Sequence, residues 1–309
     1  MSTVRLEKLA YGGWPNCLKL TDGRLELVVT LDVGPRVIRF GTVGGQNLFK
    51  EFPDQLGKTK GTEWLSFGGH RLWHAPEVAG RTYAPDFEPV DHLWDGATLI
   101  LLSKREPTTG IAKKIAIRLE DGRVHLKHSL VNENLWTVEL APWALSVMAG
   151  GGRALIPQEP FVEHGVSFTP ARPVVLWRFT RMNDPRFTWG DRLIQFRQDD
   201  KPPTKQKFGL GNKQGWAAYE LNSQLFLKTF AYHEGQTYPD QGCNCEFFTM
   251  PGFLEVETLG PLTKLEPGQG TDLEETWYLF DNVKLPQGQT SDDEPALLSA
   301  LEPYLNEAL

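Results

Sequence analysis

Leu25-Glu26-Leu27-Val28-Val29-Thr30-Leu31-Asp32-Val33-Gly34-Pro35-Arg36-Val37-Ile38-Arg39-Phe40 decides the fold class. Its first half alternates and then turns fully apolar. Gly34-Pro35 interrupts it, and Arg36–Phe40 resumes the rhythm. β-Branched residues at this density, broken by a Gly-Pro pair, mark two strands joined by a turn. Gly44-Gly45-Gln46-Asn47 forms a second turn before Leu48-Phe49. The pattern recurs at 98–103, 111–119, 124–131, 138–148, 174–179, 193–196, 215–221, 225–231, 253–258 and 274–280. Turn pairs such as Asp121-Gly122 and Pro267-Gly268 punctuate the series. Only Glu294–Leu309 has a helical face, carrying Leu297, Leu298, Leu301 and Leu305. No fixed repeat and no shift in composition divides the chain. It reads as a single all-β domain over residues 1–309, built from large antiparallel sheets and closed by a C-terminal helix at 294–309.

Composition agrees with this reading. The 30 glycines and 22 prolines make up about a sixth of the 309 residues, against an average of ~12%. That much punctuation favours short strands over long helices. The 10 tryptophans and 17 phenylalanines call for a large aromatic core or an aromatic-lined ligand face. Acidic residues number 39 and basic ones 32, for a formal charge of −7. The longest basic cluster is only Lys113-Lys114, so no concentrated positive surface exists for a nucleic-acid partner. No apolar run approaches the ~18 residues of a membrane span, and Met1–Glu7 lacks the apolar core of a leader. We therefore expect a cytoplasmic protein with no membrane partner. Three cysteines leave at least one unpaired, which argues against a disulfide framework.

Three stretches resist the strand reading: Phe52–Asp95, Pro157–Pro173 and Tyr232–Pro251. Long loops in compact domains are usually functional or disordered, and these hold too many aromatic residues for disorder. In the first, Phe67-Gly68-Gly69-His70-Arg71-Leu72-Trp73-His74-Ala75-Pro76-Glu77 reads as a glycine-rich turn. His70 supplies a titratable group, Arg71 a fixed donor fork and Trp73 an apolar plate. That mix suits a polyhydroxylated ligand, whose hydroxyls need donors and whose C–H face stacks on an aromatic ring. Zinc at His70, His74 and Glu77 is disfavoured, because Gly68-Gly69 and Pro76 break the helix that this spacing needs. Cys243-Asn244-Cys245 is not the CxxC of structural zinc sites either. The sequence thus predicts neither metal nor cofactor.

The second candidate is Leu254-Glu255-Val256-Glu257-Thr258-Leu259-Gly260-Pro261. Alternate residues of a strand share a face, so Glu255 and Glu257 point together. Like charges on one face raise the pKa of at least one, which makes a carboxylate useful for acid–base work near neutral pH. Just upstream, Asp240 sits in a predicted turn. The third is Trp136–Met148, a central strand whose Trp143 either packs in the core or lines a sugar face. His125 and His128 fall on opposite faces by parity and are not expected to act as a pair.

Taken together, these segments resemble the galactose mutarotase-like superfamily, and in particular its uncharacterised DUF4380 family. Residues 25–40 followed by Gly45-Gln46-Asn47-Leu48-Phe49 resemble the first hairpins of aldose 1-epimerases. Phe67–Arg71 and Leu254–Pro261 are similar to the uncharacterised branch. The resemblance implies a β-supersandwich with a carbohydrate site on its concave face. It also implies a glutamate base at the anomeric hydroxyl and a histidine acid at the ring oxygen. Glu257 matches the base, and Trp143 falls where the acid histidine would stand.

We therefore expect a carbohydrate-active protein, an aldose or sugar-derivative epimerase. Glu257 would be its base, with His70 or His74 replacing the acid. Arg71, Trp73, His74, Trp143, Asp240 and Glu255 would bind substrate, and the partner would be a small-molecule carbohydrate. A non-catalytic carbohydrate-binding protein is the alternative. A glycoside hydrolase or lyase ranks lower. Glu255 and Glu257 lie about 6.6 Å apart by strand rise, near the ~5 Å of retaining enzymes, but both approach from one side. The strongest expectation is that His70, Arg71 and Glu257 converge on one pocket.

Overall fold

The computed structural model describes residues 4–288 and 290–309. Met1–Thr3, the start of the segment read above as carrying no leader, and Gln289 lie outside the described residues. Two large sheets pack face to face, one of 11 strands and one of 10, with neighbouring strands antiparallel.

In chain order, the main strands of the first sheet are β1 (Arg5–Tyr11), β2 (Trp14–Thr21), β3 (Leu25–Thr30), β4 (Arg36–Thr42), β5 (Gly69–Ala75) and β6 (Val138–Ala149). They continue with β7 (Val174–Leu176), β8 (Gln206–Leu210), β9 (Cys245–Met250) and β10 (Phe253–Leu259). Their order across the sheet is β1-β2-β3-β4-β5-β6-β10-β9-β8-β7, and the short strand Thr263–Leu265 pairs with one end of β6. The second sheet is built from the strands predicted at 98–103, 111–119, 124–131, 193–196, 215–221, 225–231 and 274–280. To these it adds Asp91–Trp94, Arg153–Pro157 and Phe187–Trp189.

The core lies between the sheets. Phe40, Leu72, Met148, Phe208, Phe247 and Val256 of the first sheet meet Ile115, Leu126, Phe226 and Trp277 of the second, all buried. Strand parity then fixes what the other face of the first sheet presents. The predicted helix spans Glu294–Ala308 and packs Leu297 and Leu301 on the outer face of the second sheet against Leu155, Leu193 and Trp216. The Glu294 carboxylate anchors it by accepting the backbone N–H groups of Asp191, Arg192 and Leu193.

Two expectations need correction. The stretch 67–77 is not a turn: Gly69–Ala75 is a strand buried on both faces, as is most of Cys245–Met250 within the third supposed loop. The glycines act by close approach. A Cβ at Gly69, where φ is +73°, would lie 2.3 Å from the Val37 carbonyl oxygen, and one at Gly68 would lie 1.8 Å from that of Lys50.

Candidate active site

Because β5 is a strand, consecutive side chains leave it on opposite faces. Arg71 and Trp73 point away from the second sheet; His70 and His74 do not join them. On β6 the outward residues include Trp143 and Leu145, and on β10 they are Phe253, Glu255, Glu257 and Leu259. Register brings them into rows: Leu145 stands opposite both Arg71 and Glu257, and Trp143 opposite Trp73. On that face a cavity of about 460 Å³ opens, within the range of ~300–1,000 Å³ common for small-molecule sites. The sheet supplies its floor, and Trp64, Glu77, Tyr83 and Trp177 come from connecting segments.

The walls are aromatic. Trp73 contacts Trp64, Tyr83 and Trp143, each with ring centroids 5.2 Å away. The Arg71 guanidinium lies over the Trp73 ring, 4.4 Å from its centroid, and Nη2 donates to Glu255 Oε1 at 3.0 Å. Its Nε and Nη1 are buried with no partner. A buried donor left unsatisfied costs about 1–3 kcal/mol, so the guanidinium of this cavity-lining residue keeps unused donor capacity.

Glu257 is fully buried. Trp143 Nε1 donates to its Oε2 at 2.8 Å, while Oε1 has no partner. Burial is the main reason its carboxyl is pushed up to about 7. Lys207 pulls it back, Glu255 adds like-charge repulsion, and the Trp143 N–H and the Arg71 charge favour the charged form. Lys207 Nζ lies 3.4 Å from Glu257 Oε2 and 2.7 Å from Glu246 Oε2. It sits between the rings of Trp143 and Trp177, at 4.8 and 4.6 Å from their centroids. Burial works against its charge, but the two carboxylates hold Lys207 protonated above the ordinary lysine range. Burial likewise pushes Glu246 well above the ordinary carboxyl range, against the pull of Lys207. Gly209, opposite Glu246 on β8, gives that side chain room: a Cβ there would meet Glu246 Cγ at 3.1 Å.

The cavity thus brings together Arg71, Trp73, Trp143, Glu255 and Glu257 of the residues expected from sequence. His70 is a correction. It lies between the sheets, with Nδ1 2.9 Å from Ser146 Oγ and Nε2 2.7 Å from His128 Nε2. His128 Nδ1 must donate to the Leu273 carbonyl at 3.1 Å, so His128 Nε2 accepts, His70 Nε2–H donates, and the Ser146 hydroxyl donates to His70 Nδ1. Burial holds both imidazoles below their usual pKa and therefore neutral. Glu275 completes this group of possible metal ligands. Its carboxylate already pairs with Lys228 Nζ at 3.1 Å and accepts from Trp277 Nε1 at 2.7 Å, so the polar contacts close without an ion.

His74 is the second correction. It also leaves β5 on the side away from the cavity and meets Glu106 Oε2 at 3.3 Å beside Lys113. Asp240 is the third: it occupies a left-handed turn with φ +50° and does not line the cavity. Sequence reading missed Lys207 and Glu246. The signal was a charge set into a short apolar strand, Gln206-Lys207-Phe208-Gly209-Leu210 and Cys245-Glu246-Phe247-Phe248.

No family model matches the chain, and no curated protein matches it in sequence. Solved structures do match. A galactose mutarotase-like protein from Lactobacillus casei aligns over 86% of this chain and 100% of its own, at 9% identity and a TM-score of 0.53. The fold is galactose mutarotase-like. A candidate mutarotase from Salmonella typhimurium aligns over 91% of this chain and 95% of its own, at 10% identity and a TM-score of 0.55. A candidate aldose 1-epimerase from Escherichia coli K12 covers 90% of this chain and 99% of its own, at 13% identity and a TM-score of 0.51. At such identities the likeness concerns the fold, a galactose mutarotase-like pair of sheets. Among the described residues, no helix is long and apolar enough to cross a membrane.

Proposed function

We propose that the protein binds a sugar or sugar derivative in the cavity above β5, β6 and β10 and interconverts its anomers, with Glu257 as the base. The observation that carries this reading is the Glu257 carboxyl itself: buried at the cavity lining, pushed up to about 7, and with Oε1 unpartnered. A base with a pKa near the working pH is effective in proton transfer. Arg71 would hold substrate hydroxyls through its free donors, and Trp73 and Trp143 would take the C–H face of the ring. We also propose the DUF4380 branch of the superfamily, on the resemblance of Phe67–Arg71 and Leu254–Pro261.

A second reading, a carbohydrate-binding protein without turnover, is favoured by one observation. Among the described residues the cavity lining contains no histidine, and Trp143 stands where the resemblance puts the acid. The hydrolase reading loses support because Arg71 engages Glu255.

One experiment separates the first two. Anomer interconversion of D-glucose, D-galactose and D-glucose 6-phosphate is followed by NMR, and binding by calorimetry. Acceleration by the wild type, cut at least about a hundredfold in Glu257→Gln, is the expected result, since one acid–base group contributes ~10²–10⁴-fold. Binding without acceleration would establish the second reading. Neither binding nor acceleration would refute both.

A further inference from the structure

The geometry points to Lys207 as the group that gives a proton to the sugar ring oxygen, with Glu246 as its positioning residue. This inference rests on the epimerase reading and supplies the acid that neither His70 nor His74 can provide from the other side of β5.

Opening a pyranose asks for two proton movements at oxygens bonded to one carbon. The acid and the base must therefore stand side by side. Lys207 Nζ is 3.4 Å from Glu257 Oε2, lines the same cavity, and is held between two indole faces. The other lining donors serve less well. Arg71 does not release a proton in proteins, the Tyr83 hydroxyl is committed to Glu77, and Lys205 is exposed. Glu246, fully buried and 2.7 Å from Nζ, fixes the ammonium in place beside Glu257.

The step balances without a co-reactant. Glu257 takes the proton of the anomeric hydroxyl, and the bond between the anomeric carbon and the ring oxygen breaks. Its electron pair passes to the ring oxygen, which takes a proton from Lys207. Lys207 recovers a proton from Glu257 beside it. After the carbonyl turns its other face, the transfers run in reverse.

The test uses the full chain with D-glucose and D-galactose as probes, reading turnover by NMR exchange across pH and affinity by calorimetry. Lys207→Arg keeps the charge but cannot hand over a proton. The expected result is a loss of at least about a hundredfold in kcat with binding changed less than about threefold. The double variant Lys207→Met with Glu246→Gln, which leaves one buried carboxylate rather than two, should fold and show the same loss. Glu246→Gln should move the alkaline limb of the kcat profile to lower pH, an effect that a merely structural residue would not produce. Full kcat in Lys207→Arg, or an equal loss of binding and turnover, overturns the inference and leaves the epimerase reading standing. A wild type that accelerates neither sugar overturns both.

Discussion

Glu257→Gln should make the protein more stable at alkaline pH while removing its activity. A carboxyl that ionises near pH 7 in the fold, and near 4.5 in the unfolded chain, is held about 3 kcal/mol away from its charged form. Between those two values the folded state binds more protons than the unfolded one, so this group lowers stability as pH rises through the window. Above pH 7 the wild type carries the whole cost. Glutamine, of the same shape and never charged, carries none of it, and Lys207 retains Glu246 at 2.7 Å. Urea denaturation of both proteins at half-unit steps from pH 4 to 8.5 should show the variant ahead by up to about 3 kcal/mol at pH 8. The gap should close through the window and vanish near pH 4. A gap independent of pH, or a variant less stable at pH 8, would refute the account of a carboxyl strained by burial.

Three further outcomes follow from the same geometry. Trp143→Phe removes a donor that favours ionised Glu257; if the charged form loses about 1.4 kcal/mol relative to the neutral one, the midpoint rises by about one pH unit, readable from the side-chain carboxyl shift in carbon-13 NMR. Arg71→Met leaves Glu255 buried without its partner and should cost about 3–5 kcal/mol in denaturation; adding Glu255→Gln should recover much of that loss but not sugar affinity by calorimetry. His128→Leu leaves His70 Nε2–H unsatisfied and should cost roughly 1–3 kcal/mol at pH 7. Because burial lowers the pKa of His128 in the fold, its stabilising contribution is present above about pH 6.5 and lost as pH falls, so the variant should lose less than wild type between pH 6.5 and 5.

The strands that alternate or run apolar were legible in sequence, as was the helix, whose Leu297 and Leu301 are buried. Gly69–Ala75 was not, because polar residues are buried on both of its faces and no apolar face exists to be read. Arg71 finds Glu255 and the indoles on one side, while His70 finds Ser146 and His128 on the other. The hairpin Arg5–Tyr11 with Trp14–Thr21 was missed for a different reason: Arg5, Glu7, Lys8 and Lys19 interrupt its apolar residues on a half-exposed edge. At the site, parity placed Glu255 and Glu257 together. Lys207 lies on a strand whose neighbours are distant in sequence, and Glu246, which faces Glu257 across the β9–β10 hairpin, fell in a stretch read as loop.

The order β5-β6-β10-β9-β8 also bears on how the molecule comes into being. Apart from the β9–β10 hairpin, the partnerships that build the cavity join residues far apart along the chain, as Arg71 and Glu255 do across 184 positions. Closing loops of that length is entropically costly and slow compared with forming local hairpins. The N-terminal meander β1–β4 can pair as soon as it is made, whereas the cavity floor must wait until β10 has been made. Until then Arg71 and the tryptophans around it have no carboxylate and no floor. The cavity is therefore a mark of completed folding, and it exists only in chains that have finished.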